Sequence, residues 1–385
     1  MRPRVVVAGS VAQRPGYGGH AWVFLQYLLG FRKLGYDVLF VDRLEPEMCV
    51  DNSGRQCAPE DSVNLRYLLE VLQPFELDRS FALLCDRGER VVGRSRAELV
   101  EWVKRSSLLL NVMGYLDDAE ILSHAPRRVF LDIDPGFGQM WRELGLHDLF
   151  HGHDHYVTIG QNIGRPDCTI PTCGIEWVTT PQPVVLDQWP VQTLTGTGFT
   201  SVASWRGPFA PVEYAGSTYG LRVHEFRKFL ALPAQTEKAF EVALEIHESD
   251  HRDLQRLRDS GWHVSDPRSV AGSPEAYQRF IQASEAEFMV AKNMYVRSRS
   301  GWLSDRSLCY LASGRPVLAQ DTGVATTYPV GEGLVTYSTL DEASAGVEEI
   351  CGNYPRHARA ARALAEEYFD SEKVLRELVA KLSVA

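Results

Sequence analysis

The sequence predicts an α/β protein made of two βα domains, each built on a parallel sheet. A β-rich run at residues 4–8 is followed by a Gly-rich loop, an amphipathic helix and a second β-rich run, and strands continue to alternate with helices to about residue 180. Residues 181–198 are rich in Pro, Thr and Gly and show no period, which is typical of a linker. The strand–helix alternation restarts at Phe199.

The first unit has the order strand, loop, helix, strand. Residues 9–19 form the loop, His20 opens a helix that Gly35 stops, and residues 37–42 form the second strand. Two strands joined through a helix are expected to lie parallel with a right-handed crossover. Ligands of such sheets bind outside the carboxyl ends of the strands, so loops that follow strands are the places to look for a site.

The same patterns predict the remaining elements and the domain limits. Further strands are expected at 108–112, 129–133, 155–159, 199–203, 240–244 and 286–291. Helices are expected at 65–72, 99–103, 117–122, 222–230, 252–260 and 277–284, and residues 43–60 are expected to form a long loop. We therefore predict a first domain at 1–180, a linker at 181–198, a second domain at 199–365 and a closing helix at 366–385.

Composition narrows the function classes. The chain has 385 residues and a net charge of −10, which argues against a nucleic-acid partner because binding to phosphate backbones favours a basic surface. The sequence has no signal-peptide pattern and no apolar run long enough to span a membrane. Seven scattered cysteines without a C-x-x-C pair suggest a reducing, cytoplasmic location. Whether the protein forms a homodimer is left open.

Residues 300–323 form the most informative segment. Ser304 stands where a helix N-cap is expected, Gly314 where a helix ends, and a buried strand follows from Pro316. Free backbone N–H groups and the positive end of the helix dipole would meet at Ser304, with Arg306 beside them. The pattern predicts an anion site that suits a nucleotide phosphate.

This segment resembles part of the C-terminal domain of GT-B glycosyltransferases. The residues that carry the resemblance are Ala312, Gly314, Pro316, Val317, Thr322 and Gly323. Near the N-terminus, residues 34–38 (LGYDV) resemble the family's strand start, with Tyr36 where His is usual, and the last helices are similar as well. The resemblance implies a GT-B-like fold of two Rossmann-like domains facing a cleft, with the C-terminal helix crossing back to the N-terminal domain. It also implies that residues 300–323 hold the diphosphate of a sugar donor.

One departure from the family concerns an acidic pair. Retaining members carry two glutamates spaced E-x7-E, and alignment on Gly314 puts Gly301 and Cys309 at those positions. Asp305 is the nearest carboxylate that could take over a contact to ribose or sugar hydroxyls. Inverting and retaining chemistry therefore both stay open.

The predicted donor-binding residues are Arg206, Lys292, Ser304, Asp305, Arg306, Thr322 and Gly323. Arg206 and Lys292 each follow a predicted strand, which places them at the sheet edge where ligands bind. Thr322 and Gly323 lie in the loop that, by the resemblance, faces the sugar.

The predicted catalytic residues are His20 and Asp134. His20 follows the loop glycines Gly18 and Gly19 at a helix start, where the dipole disfavours the imidazolium and keeps the ring neutral and basic. Inverting members of the family often place a base there. Asp134 ends the strand in FLDIDPGFG and would line the acceptor site or orient a base.

These observations predict a metal-independent glycosyltransferase without a cofactor, which moves a sugar from a nucleotide-diphosphate co-substrate to a hydroxyl of a small molecule or glycan. The alternating histidines of residues 151–155 are interpreted as an exposed loop rather than as metal ligands. Two alternatives stay open: a nucleotide-sugar epimerase of the same fold, and a GT-B-like partner protein without catalysis.

Overall fold

Two parallel sheets organise the chain in the computed structural model, which describes residues 2–193, 196 and 198–383. Residues 194, 195 and 197 of the predicted linker, residue 1 of the first domain and residues 384–385 of the closing helix lie outside the described residues.

The first sheet contains eight strands. They are β1 (Arg4–Ala8), β2 (Asp37–Leu44), β3 (Phe81–Cys85), β4 (Arg90–Gly93), β5 (Leu108–Val112), β6 (Arg128–Asp132), β7 (His155–Thr158) and β8 (Val178–Thr179). Their order is β4-β3-β2-β1-β5-β6-β7-β8, and all neighbours are parallel except β4, which runs antiparallel to β3. The order reverses between β1 and β5, so the crevice of this sheet lies above the ends of those two strands.

The second sheet contains six parallel strands. They are β9 (Gly198–Ser204), β12 (Ala239–Glu245), β13 (Trp262–Ser265), β14 (Ala286–Met289), β15 (Val317–Gln320) and β16 (Leu334–Tyr337). The order β13-β12-β9-β14-β15-β16 is the Rossmann order, with its switch point between β9 and β14. An antiparallel hairpin, β10 (Val212–Tyr214) and β11 (Ser217–Tyr219), is inserted after β9.

Fourteen α-helices are described. In the first half they are α1 (Gly18–Lys33), α2 (Val63–Leu72), α3 (Arg96–Lys104), α4 (Ala119–His124) and α5 (Phe137–Glu143). In the second half they are α6 (Arg222–Phe226), α7 (His251–Asp259), α8 (Pro267–Ala271), α9 (Pro274–Ala283), α10 (Asn293–Ser298), α11 (Asp305–Ala312), α12 (Leu340–Gly352), α13 (Tyr354–Leu364) and α14 (Ser371–Lys381). Among these, no helix is both long and apolar enough to cross a bilayer.

The central strands are buried on both faces because helices cover both sides of each sheet. Val5, Val6 and Val7 of β1 are all fully buried although they point alternately to opposite faces. This double burial explains why the strands read as continuous apolar runs. The sequence patterns did not predict β3, β4 or β8 of the first sheet, nor β10, β11, β13 and β16 in the second half of the chain.

The C-terminal helix packs against the first domain. The chain turns through a π-helical segment, Ala365–Phe369, and the carbonyl of Phe369 accepts a hydrogen bond from Val184 N at 2.7 Å. Helix α14 then lies on α1 so closely that a Cβ on Gly30 would come within 2.6 Å of Leu375 Cδ1. The predicted crossing of the last helix to the N-terminal domain is confirmed.

Candidate functional site

A cavity of about 870 Å³ lies between the carboxyl edges of the two sheets. Its walls include the loops that follow β5 and β6 of the first sheet and those that follow β9 and β14 of the second. Its volume falls in the range of small-ligand sites. Four of the residues predicted from sequence line it together: His20, Asp134, Arg206 and Lys292.

Arg222 occupies the switch point of the second sheet. Its Nη1 donates to the carbonyl of Ser204 at 3.2 Å, and its Nε donates to the carbonyl of Val290 at 3.0 Å. Ser204 ends β9 and Val290 follows β14, so the guanidinium bridges the two strand ends between which the strand order reverses. Burial and the neighbouring Arg306 lower the pKa of Arg222 to about 10, which leaves it charged at neutral pH.

Lys292 and Asp134 join the two sheets across the cavity. Lys292 Nζ lies 2.5 Å from Asp134 Oδ2, and both side chains are largely buried, with 13% and 17% of their surface exposed. Tyr295 donates its hydroxyl to the other oxygen of Asp134. The ammonium also lies 5.2 and 5.3 Å from the ring centroids of Phe137 and Phe209.

Positive charge accumulates at this point of the cavity. Burial lowers the pKa of Lys292, and the nearby cations Arg222 and Arg14 lower it further, against the opposing effect of Asp134. Three cations, Arg14, Arg222 and Lys292, therefore line the cavity together with the carboxylate of Asp134. Among the described residues, neither Arg14 nor Arg222 forms an ion pair with a carboxylate. The cluster has room for a further anion.

Arg206 lies at the rim of the same cavity. Its guanidinium forms two hydrogen bonds to Asp250, at 2.8 and 2.6 Å, and 47% of the side chain is exposed. The hydrogen bonds from Arg206 lower the pKa of Asp250. Because the Arg206 guanidinium already donates two hydrogen bonds to Asp250, it has fewer N–H groups left for a ligand in the cavity than Arg222 has.

His20 lines the cavity in the first turn of α1. Its Nε2 lies 3.2 Å from the carbonyl oxygen and 3.0 Å from the hydroxyl of Ser10. Since a carbonyl can only accept, this contact assigns the proton to Nε2 and the lone pair to Nδ1. Burial, reinforced by Arg14, lowers the pKa of His20 to about 3. The ring is neutral, as predicted from the helix start, but its environment makes it a weak base.

This pKa has a consequence for acid stability. The unfolded chain binds a proton on His20 below pH 6.5, whereas the folded chain does so only near pH 3. Stability therefore falls as the pH falls from 6.5 towards 3, because the unfolded state binds more protons. His20→Gln keeps a hydrogen-bond donor for Ser10. We expect its melting temperature to fall less between pH 8 and pH 5 than that of the wild type.

The matched control for this prediction is His147→Gln, because His147 is an exposed histidine of the same cavity. It should follow the wild-type pH dependence of the melting temperature. Identical pH dependence in His20→Gln and the wild type would contradict the assignment of a low pKa to His20.

A buried carboxylate supports the turn that carries Asp134. Asp132 accepts hydrogen bonds from Gln139 Nε2 at 2.7 Å, from Thr158 Oγ1 at 2.9 Å and from the backbone N–H of Asp134 at 3.1 Å. Burial raises the pKa of Asp132 to about 6. Asp132 is thus a positioning residue for the turn and does not line the cavity.

The predicted helix at Ser304 forms, but its start does not face the cavity. Ser304 caps the backbone N–H of Arg306, as the sequence suggested, and 2% of Ser304 is exposed. The Arg306 side chain is buried and directed at Glu287 and the carbonyl of Val202. Burial raises the pKa of Asp305, which also lies close enough to Tyr27 of α1 to affect its pKa. Helix α1 lies beside α11, where Gln26 Nε2 donates to Cys309 Sγ at 3.8 Å.

Thr322 and Gly323 form a packed turn between the domains. Thr322 is fully buried and donates to the carbonyl of Trp302 at 2.6 Å. Gly323 has a φ of +87°. Asn162, in the first half of the chain, donates from Nδ2 to the carbonyl of Gly323 at 3.0 Å. Neither Thr322 nor Gly323 is among the described residues that line the cavity.

Gly18 and Gly19 are required for packing. A Cβ on Gly18 would lie 2.1 Å from the carbonyl oxygen of Ser273, and one on Gly19 would lie 2.6 Å from the ring of Tyr277. Trp22, one turn later, donates from Nε1 to the carbonyl of Pro274 at 2.8 Å. The two glycines thus allow the start of α1 to contact the second domain next to the cavity.

Neither Arg14 nor Arg222 is among the donor-binding residues predicted above. Arg14 lies in the Gly-rich loop that follows β1, and this position at a strand end already indicates a place near the site. Arg222 is eighteen residues beyond the end of β9, and only the intervening hairpin of β10 and β11 returns it to the strand end. Within the described ranges, no three or more His, Cys, Asp or Glu side chains are grouped to hold a metal ion.

Comparisons with known proteins agree with this architecture. No protein-family model and no curated protein matches the sequence. An alpha-glucosyltransferase in complex with UDP and a 13-mer DNA containing a HMU base is 11% identical, with 100% of each chain covered and a TM-score of 0.60. Anabaena HepE in complex with UDP and glucose is 10% identical over 100% of each chain, with a TM-score of 0.58. AviGT4, a glycosyltransferase involved in avilamycin A biosynthesis, is 13% identical over 99% of this chain and 97% of its own, with a TM-score of 0.54. The chain has the glycosyltransferase-like GT-B fold, with two Rossmann-like sheets.

The exclusion of nucleic acid made from net charge is wrong. Several structures of the same fold contain DNA. Net charge sums over the whole surface and does not describe a cleft. In this chain of net charge −10, the cavity is lined by six Arg and Lys side chains and only three aspartates.

Proposed function

We propose that the protein is a glycosyltransferase that uses a nucleoside-diphosphate sugar as donor. The observation that carries the proposal is the cluster of Arg222, Arg14 and Lys292 around one carboxylate at the switch point. Its surplus of two positive charges suits the diphosphate that leaves as the glycosidic bond breaks. The donor binding seen in the fold neighbours, several of which contain UDP, is consistent with this assignment.

In the proposed reaction, the acceptor hydroxyl enters from the side of the first sheet. Its oxygen bonds to the anomeric carbon, the bond from that carbon to the diphosphate oxygen breaks, and the hydroxyl proton is removed. His20 Nδ1 carries the available lone pair and is our proposed base. General acid–base catalysis typically contributes about 10²- to 10⁴-fold, and the lowered pKa of His20 reduces the driving force for taking the proton.

Asp134 has a different proposed role. Its two oxygens are engaged by Lys292 and Tyr295, so in the free protein it balances the charge that the donor phosphate would meet. Donor binding would then redistribute Lys292 between Asp134 and phosphate. Among the described residues, Asp134 is the one carboxylate in contact with Lys292, which disfavours an epimerase, because that chemistry calls for several carboxylates at the anomeric centre.

The test begins with binding. A ligand specific for the folded state stabilises it by about 2.7 kcal/mol at one hundred times its Kd, so one of ADP, CDP, GDP or UDP should raise the melting temperature clearly. The matching nucleoside monophosphate should act more weakly, because it lacks one phosphate. The corresponding nucleotide sugars should then release nucleoside diphosphate. No stabilisation by any of the four, together with no consumption of their sugar derivatives, would refute the proposal.

A further inference from the structure

A second cavity, of about 390 Å³, lies along the same edge of the second sheet. It is bounded by the residues at the carboxyl ends of β12 and β13, including Leu244, Ile246, Val264 and Pro267. The first cavity lies above the ends of β9 and β14. The two cavities therefore follow each other along neighbouring strand ends, in the order β13, β12, β9, β14.

Glu245 stands where the two cavities meet. It is the last residue of β12, it lines the second cavity, and its register partner on β9 is Ser204, which lines the first. The Ser204 hydroxyl donates to Glu245 Oε2 at 2.8 Å, and the Tyr17 hydroxyl donates to Oε1. Burial and Glu245 raise the pKa of Tyr17, so the phenol keeps the proton that it donates.

The Glu245 carboxylate accepts hydrogen bonds from two hydroxyl groups and can accept more. A carboxylate offers about four lone-pair sites, and the side chain is exposed. Tyr17 and Ser204 fix its orientation from both sides, one from the Gly-rich loop and one from β9. An oriented, accessible carboxylate is suited to accept hydrogen bonds from a pair of neighbouring hydroxyl groups.

The position has a general precedent in the Rossmann order. In such sheets the phosphates lie at the end of the first strand, and an acidic residue at the end of the next strand binds the ribose hydroxyls. Here β9 is the first strand, and β12 is its neighbour on the side away from β14. Asp305, the carboxylate considered from the sequence, lines neither cavity.

We propose that Glu245 binds the ribose hydroxyls of the sugar donor, with the nucleobase in the cavity at β12 and β13. This inference rests on the proposed function, and it makes Glu245 a residue that distinguishes ribonucleotides from deoxyribonucleotides. The base would lie between the apolar side chains of Leu244, Ile246 and Val264. The diphosphate would lie on the other side of Glu245, at Arg222.

The experiment compares the ribonucleoside diphosphate that binds best among ADP, CDP, GDP and UDP with its 2′-deoxy counterpart, by calorimetric titration. A hydrogen bond to a charged group is commonly worth about tenfold in affinity or more, so the wild type should bind the ribonucleotide about tenfold more tightly. In Glu245→Gln the ratio of the affinity for the ribonucleotide to the affinity for its 2′-deoxy counterpart should fall below about threefold, mainly because the ribonucleotide binds more weakly.

Glu237→Gln is the matched control, because Glu237 is exposed and precedes the opposite, amino end of β12. This variant should keep the wild-type ratio of ribonucleotide to deoxyribonucleotide affinity. The melting temperature of each variant without nucleotide shows whether the variant is folded. An unchanged ratio in Glu245→Gln, or no ribose preference in the wild type, overturns the assignment of Glu245 while leaving the proposed function intact. Failure of all four nucleotides to bind the wild type overturns both.

Discussion

Replacing Arg222 by alanine is expected to lower kcat/KM for the nucleotide sugar by about 10²-fold or more. The reason is that the variant loses one fixed hydrogen-bond donor to the negative charge that develops on the leaving diphosphate in the transition state. Arg222 is held by the carbonyls of Ser204 and Val290 and not by a carboxylate, so its remaining N–H groups are free for a ligand anion. Because two strand ends fix the guanidinium, little conformational entropy would be lost when it binds phosphate.

Arg222→Lys separates charge from geometry. A lysine keeps the positive charge but cannot bridge two carbonyls and a phosphate in one plane, so its activity should lie between that of alanine and the wild type. Arg297→Ala is the control: this exposed arginine on α10 contacts Ser217 and does not line the cavity. The account of Arg222 fails if its alanine variant folds and keeps activity within about threefold of the Arg297→Ala variant.

The second large effect concerns the ion pair between Lys292 and Asp134. Lys292→Met keeps the apolar stem and removes the charge, which leaves Asp134 largely buried with Tyr295 as its side-chain partner. Removing one partner of a buried pair costs about 3 kcal/mol in the free energy of unfolding. Since the pair joins loops from the two sheets, the loss should also loosen the contact between the domains.

A double-mutant cycle measures this pair directly. Asp134→Asn together with Lys292→Met should be less destabilising than the sum of the two single changes, because the double variant leaves no buried charge unpaired. In urea denaturation, the exposed pair of Lys373 and Glu367 provides the comparison, and Lys373→Met should change stability by less than about 0.5 kcal/mol. Additive effects at Lys292 and Asp134 would show that the two side chains do not stabilise each other.

Local sequence signals predicted the fold well. The βαβ unit at the N-terminus, the restart at Phe199 and the cap at Ser304 all depend on residues within a few positions of each other, and the structure contains each of them. The strand-end rule also placed Arg206, Lys292 and Asp134 in one cavity. The three side chains come together because the strand ends of a parallel sheet share an edge.

The structure departs from the sequence-based expectations where distant segments meet. Nothing near Ser304 in the sequence indicates that this residue is buried or that α1, almost 280 residues earlier, lies beside the helix that Ser304 caps. Arg306 was predicted to lie beside a phosphate, but its side chain pairs with Glu287 on a buried strand. Arg222 is absent from the predicted donor-binding residues because its place beside β9 depends on an inserted hairpin. Tertiary packing decides such positions, and local patterns carry no information about it.

We propose that the donor diphosphate binds at the switch point of the second sheet and not at the start of helix α11. A crystal structure with the nucleoside diphosphate that stabilises the protein best would test it most directly. We expect both phosphates within hydrogen-bond distance of the Arg222 guanidinium, with Arg14 or Lys292 as a further contact. Phosphates bound to the backbone N–H groups next to Ser304, with Arg222 still bonded only to Ser204 and Val290, would contradict the account.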